Sequence, residues 1–180
     1  MAGCDITRGL SATICNNSVA GLKNLYIANY DEYGLEVDGT ESEEITTLPV
    51  LLDEVFKFPL KNTGNTFQED SETNMDNGTT IFTQVLNFVI NKISGQKQFQ
   101  VKLLAWGRPI IFVETNAGEV FVMGKENGAD VKVSTTVAGE MSGANQYVLE
   151  ATAIEREPIA FLSSTAITAL KALVTPGGEM

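Results

Sequence analysis

The chain has no histidine, one tryptophan, two cysteines and five prolines in 180 residues, and only 12 Lys and Arg stand against 23 Asp and Glu. Without histidine, the triads that use imidazole as their base are excluded, and so are zinc sites built on Cys and His together. No Gly-x-Ser-x-Gly elbow occurs. Cys4 and Cys15 lack zinc spacing. They read as small buried hydrophobes or reduced thiols, with a disulfide as the alternative in an oxidising compartment. Clustered bases are missing too. The densest basic run is Lys92, Lys97 and Lys102, too sparse to grip the outside of DNA. No apolar run approaches the roughly 20 residues of a membrane helix. Residues 1–10 hold Asp5 and no apolar segment, so no secretory leader is expected. The chain should work in a cytosol, or in a particle assembled there.

What is present is acid, and it is concentrated. Residues 24–91 hold thirteen Asp and Glu and two bases, Lys57 and Lys61, while the remainder balances ten acids with ten bases. So lopsided a stretch suits a surface that repels. Two patterns in the chain imitate chemistry. Gly124-Lys125-Glu126-Asn127-Gly128 resembles a phosphate loop but lacks the Walker spacing, and it reads as a turn between strands. Asp31, Glu32, Glu36, Asp38, Glu41, Glu43 and Glu44 carry no EF-hand pattern and read as a solvated acidic loop. The pair Glu69/Asp70 has no accompanying sign of a glycosidase site. No catalytic residue, cofactor or metal ligand is expected, and the chain does not read as an enzyme.

Alternation of apolar and polar residues predicts strands at 22–30, 55–60, 67–75, 79–91, 110–114, 120–124, 130–137 and 146–155. Asn77-Gly78 is a favoured hairpin turn, and Asn116-Ala117-Gly118 marks another. Residues 79–91 set Phe82, Leu86, Phe88 and Ile90 on one face, with Gln84 as the exception. Ser94 and Gly107 bracket a helix over 96–106, expected to pack on a sheet through Phe99, Leu103, Leu104 and Trp106. Ser164 caps a short helix over 165–173, and 174–180 is a flexible tail. Residues 31–54 lack a period, so a projecting acidic loop is expected, with the apolar patch 48–52 as its docking point. The fold class is mainly β: an antiparallel β-sandwich or barrel with one flanking α-helix and a long loop.

Several stretches carry a resemblance. They are Cys4-Asp5-Ile6-Thr7-Arg8-Gly9 with Cys15, GLKNLYIANY from Gly21, FKFPLKNTGNTFQED from Phe56 and NGTTIFTQVLNFVINK from Asn77. VKLLAWGRP from Val101, GKENGADV from Gly124 and YVLEATAIEREPIAFL from Tyr147 complete the set. Together they resemble virion tail-tube or tail-ring proteins of phages that infect Bacteroidetes, including the crAss-like group, over most of the chain. The resemblance implies two packed antiparallel sheets with a flanking helix and a long loop. It implies a homo-oligomeric ring, usually sixfold, whose inner strands form one barrel, and rings that stack into a tube or collar for genome exit. Other tail or portal-proximal proteins would be neighbours. DNA would pass without specific binding, no membrane would be involved, and the place would be the virion tail, assembled in the host cytoplasm. On that footing Glu69, Asp70, Glu72 and Asp76 are expected to line or rim the channel. Glu41, Glu43, Glu44, Leu48, Leu51 and Leu52 are expected to reach a neighbouring subunit. A virion β-sandwich that recognises a receptor or carbohydrate is the other reading, with Tyr30 and Tyr33 as its loop-tip aromatics.

Overall fold

The computed structural model describes residues 9–10, 19–37, 43–61 and 63–175. The expectations placed on Cys4, Cys15, Asp38, Glu41 and the tail from 176 onward lie outside these residues. The strands are β1 (Leu22–Ala28), β2 (Glu44–Ile45), β3 (Phe56–Pro59), β4 (Thr66–Asn74), β5 (Thr79–Asn91), β6 (Ile110–Thr115), β7 (Val120–Met123), β8 (Asp130–Val137), β9 (Asn145–Glu155) and β10 (Ala160–Leu162). The helices are α1 (Gly95–Trp106) and α2 (Ser164–Ala172). One sheet runs β2-β10-β7-β6-β1-β3, the other β4-β5-β9-β8. Every ladder is antiparallel except β10 with β2. The chain is mainly β, as its alternation predicts.

The two sheets face each other across one core, formed by Leu25, Ile27, Ile111, Val113 and Met123 from one side and Leu86, Phe88, Tyr147, Leu149 and Ala151 from the other. Each large side chain removed from water there contributes about 1.5–3 kcal/mol before entropy is subtracted. The six-stranded sheet is buried on its far face as well. There Tyr26, Phe112, Ile110 and Val122 meet Leu35, Ile45, Leu52, Val55 and, from α2, Ala166 and Leu170. Burial on both faces explains why β6 and β7 read as unbroken apolar runs instead of alternating.

Three expectations are corrected. Residues 31–37 and 43–54 do not project. Their sparse apolar residues (Leu35, Ile45 and Leu52, with Tyr33, Val37 and Leu48 beside them) anchor the segment on the second core while the acids between them face water. Its two-residue strand β2 pairs with β10, and the Ser163 amide donates to the Ile45 carbonyl at 3.0 Å. The stripe Phe99–Leu103–Trp106 of α1 does not pack on a sheet. Those side chains are exposed, and α1 is held by Val101 and Leu104. The second helix is capped by Ser163, whose side chain accepts from the Ala166 amide, rather than by Ser164. Ser94 caps α1 as expected, accepting from the Lys97 amide. The C-terminal segment is held through Thr175, whose amide donates to the Val55 carbonyl at 3.0 Å.

Candidate functional site

The four-stranded sheet turns one face to the core and the other to solvent. The outward set follows from the period of two. It comprises Thr66, Gln68, Asp70, Glu72 and Asn74 on β4, Thr83, Val85, Asn87 and Val89 on β5, Gln146, Val148, Glu150, Thr152 and Ile154 on β9, and Asp130, Lys132 and Ser134 on β8. This surface is polar and β-branched. Its ionised groups are Asp70, Glu72, Asp130 and Glu150 against Lys132, so it repels anions weakly along its length.

The four acids expected in a channel do not act together. Asp70 and Glu72 lie on the outward face, and Asp76 sits in the exposed β4–β5 turn. Glu69 points the other way, because neighbouring strand residues alternate sides. Its carboxylate accepts from Gln84 Nε2 at 3.1 Å and from the Ile159 amide at 2.9 Å. Gln84, the polar residue on the greasy face of β5, is 2% exposed, and its Oε1 accepts from the Gly124 amide at 3.1 Å. Buried Gln84 and half-buried Glu69 thus form one polar link between the sheets. Sequence reasoning missed Glu150, although its alternation with Val148, Thr152 and Ile154 was the signal that could have found it.

The element that does project is the β4–β5 hairpin. β9 begins to pair with β5 at Phe82, so Glu72–Ile81, Thr73–Thr80 and Asn74–Thr79 form a ribbon with no third strand among the described residues. Met75 at its tip is exposed. Of the segment residues expected at an interface, Glu43 and Glu44 are exposed, Leu48 is half-buried, Leu51 is exposed and Leu52 is buried in the chain's own core.

The loop that resembles a phosphate cradle is occupied from within. Glu155 is buried, and its carboxylate accepts from the amides of Glu126 and Asn127 at 3.3 and 3.0 Å. Burial pushes the carboxyl of Glu155 upward, against the opposing pull of those amides. Two ion pairs flank it, Lys125–Glu157 at 2.6 Å and Arg156–Glu126 at 3.2 Å. Gly128 is fixed by its φ of +71° and by the Arg108 carbonyl, which an added Cβ would meet at 2.6 Å.

A second buried acid, Glu114 on β6, accepts from Asn24, from the Tyr26 hydroxyl at 2.9 Å and from Lys171 Nζ of α2 at 2.9 Å. Burial alone would raise its carboxyl, but the bonds from Asn24, Lys171 and Tyr26 outweigh it and hold it below its usual range. The same site pushes the Tyr26 hydroxyl upward, chiefly through burial. Lys23 and Lys57 stand beside this cleft. Among the described residues, no three His, Cys, Asp or Glu side chains gather as a metal would need, and no helix is long and apolar enough to cross a membrane. No protein-family model matches the chain, and no curated protein matches it.

Proposed function

We propose that this chain is a structural subunit of a bacteriophage tail, whose copies join edge to edge into a ring, sixfold or a multiple, and whose rings form a channel for the genome. One observation carries the reading. β4 and β8, the two edges of the four-stranded sheet, are nine and eight residues long and, among the described residues, uncovered by any other strand. Three antiparallel ladders separate them, so they run in opposite directions. Placing β8 of one copy beside β4 of the next continues the antiparallel order without a break. An isolated subunit with such edges risks uncontrolled pairing, and ring closure removes that risk. At about 4.8 Å per tilted strand, about 24 strands from six copies enclose a wall roughly 40–50 Å across, wide enough for duplex DNA.

In that wall the outward face becomes the lumen. Asp70, Glu72, Asp130 and Glu150 would repel phosphates within about 8 Å, one Debye length at physiological salt, so DNA slides without sticking. The reading assigns the subunit no catalysis and no cofactor, places it in the virion tail, and gives it other tail or portal-proximal proteins as neighbours. Light scattering on the eluting full chain, with negative-stain imaging, tests it: rings or tubes support it, and a stable monomer at every concentration overturns it. The second reading, a virion module that recognises a receptor or carbohydrate, is favoured by the exposure of Trp106 and Tyr30. A stable monomer with glycan affinity would select it.

A further inference from the structure

The sandwich has two unlike flanks. Phe67 on β4 packs on Phe121 with ring centroids 4.6 Å apart, Phe121 packs on Phe161 of β10, and Glu69 holds the Ile159 amide. β4 therefore lies over the β10–β2 end of the larger sheet. At the opposite side α1 touches β8 and shares a groove with β1 and β3. β8 and α1 therefore lie at the β3 end. The first flank exposes Glu43, Glu44, Asp70 and Glu72, and neither residues 43–54 nor β4 contain a base.

The second flank is the more basic one: β8 there carries exposed Asp130 beside Lys132, and α1 and its neighbours add bases without acids. No acid occurs between Asp76 and Glu114, whereas Lys92, Lys97, Lys102 and Arg108 do. None of these four forms an ion pair with an acid among the described residues. Lys102 Nζ sits 4.1 Å from the centre of the Trp106 ring, and Arg108 sits 4.7 Å from that of Tyr30. Phe99, Leu103 and Trp106 recur at helical spacing, yet α1 is held to its own chain by Val101 and Leu104. Trp106 is 74% exposed. A contiguous apolar stripe left in water on a monomer marks an interaction site.

Building on the assembly reading above, we propose that α1 forms one half of the lateral seam between subunits. Its Phe99–Leu103–Trp106 stripe, with Lys97 and Lys102, docks on the β2–β10 flank of a second copy of this chain, against Glu43, Glu44 and the half-exposed Phe161. Charge selects the occupant. The molecule carries the complementary acidic surface on its own opposite side, which a closed head-to-tail arrangement requires. The adjoining groove of about 170 Å³ beside Leu103 and Phe56 is large enough for one side chain of that copy.

Trp106 is the sole tryptophan, so the full chain reports its own docking. On assembly its emission shifts to the blue and its acrylamide quenching is largely lost, in step with the rise in light-scattering mass. Lys102→Glu abolishes both changes. A mixing experiment uses Lys102→Glu chains with chains carrying Glu43→Lys and Glu44→Lys. Each variant alone stays monomeric, and together they assemble, because one junction is the original pair and the other is its charge-reversed, still complementary counterpart. The substituted side chains are exposed, so the fold survives them, and circular dichroism checks this. Rings whose Trp106 stays fully quenchable, undiminished rings from Lys102→Glu, or a mixture that stays monomeric would each overturn the seam while leaving the assembly reading in place. A wild-type chain that never leaves the monomer overturns both.

Discussion

Gln84 Nε2 donates to the Glu69 carboxylate at 3.1 Å while the same side chain takes the Gly124 amide on its oxygen. One buried amide thereby connects β4, β5 and the end of β7. Gln84→Leu keeps the volume and leaves the Gly124 N–H without this acceptor. The expected loss is about 1–3 kcal/mol, read as a lower urea midpoint at unchanged slope. A variant as stable as the wild type would show that this link is dispensable.

Residues 31–37 and 43–54 are anchored on the second core, so stability depends on which of their side chains is trimmed. Ile45 is fully buried and Val50 is 97% exposed. Ile45→Ala should cost about 2–5 kcal/mol, and Val50→Ala should stay within about 0.5 kcal/mol. Equal, small effects in thermal melts would mean that the segment is held only loosely.

Acid should weaken the fold through Glu114. Its folded carboxyl lies below its value in the unfolded chain, so the folded state binds fewer protons there. Its contribution is present above the ordinary carboxylate range and is lost as pH falls through the depressed value. Glu155, pushed upward by burial, acts with the opposite sign: its contribution is fullest at low pH and fades as pH rises through its raised value. Glu114→Gln should flatten the acid limb of a melting-temperature profile, and Glu155→Gln should raise stability at neutral pH relative to acid. Superimposable pH profiles would refute both assignments.

On the proposed tail assembly, the outward acids can be reversed without touching the core. Asp70→Lys with Glu72→Lys should slow genome release from well-formed virions, because phosphates then meet attraction in place of repulsion. Release at the wild-type rate would remove the repulsive wall. Glu69→Lys belongs to a different class, since it breaks the link to Gln84 and Ile159 and should fail at folding.

Where local patterns were strong, the sequence was readable. β5 and β8 span the residues their alternation predicts, and Asn77-Gly78 and Asn116-Ala117-Gly118 lie in the expected turns. Strands β2 and β10 were invisible, because two or three residues paired in parallel over more than a hundred positions leave no local period. Leu104 packs inward as its spacing predicts, but the facing of Phe99, Leu103 and Trp106 was misread for a physical reason. A helix at the rim of a sandwich needs few anchors, here Val101 and Leu104, so its more conspicuous apolar stripe was free to face outward. Grouping Glu69 with Asp70 and Glu72 neglected strand alternation, which alone would have separated them. The buried acids Glu114 and Glu155 gave no sequence signal, since their donors lie far along the chain in Asn24, Lys171 and Asn127.

The carboxylate of Glu155 makes the molecule its own counter-ion. The amides of Glu126 and Asn127 already hold a negative oxygen. A nucleotide or a free sulfate arriving at this bend would have to evict a tethered competitor whose local concentration no solute can match. The chain can therefore sit beside a dense polyanion without offering it a foothold there.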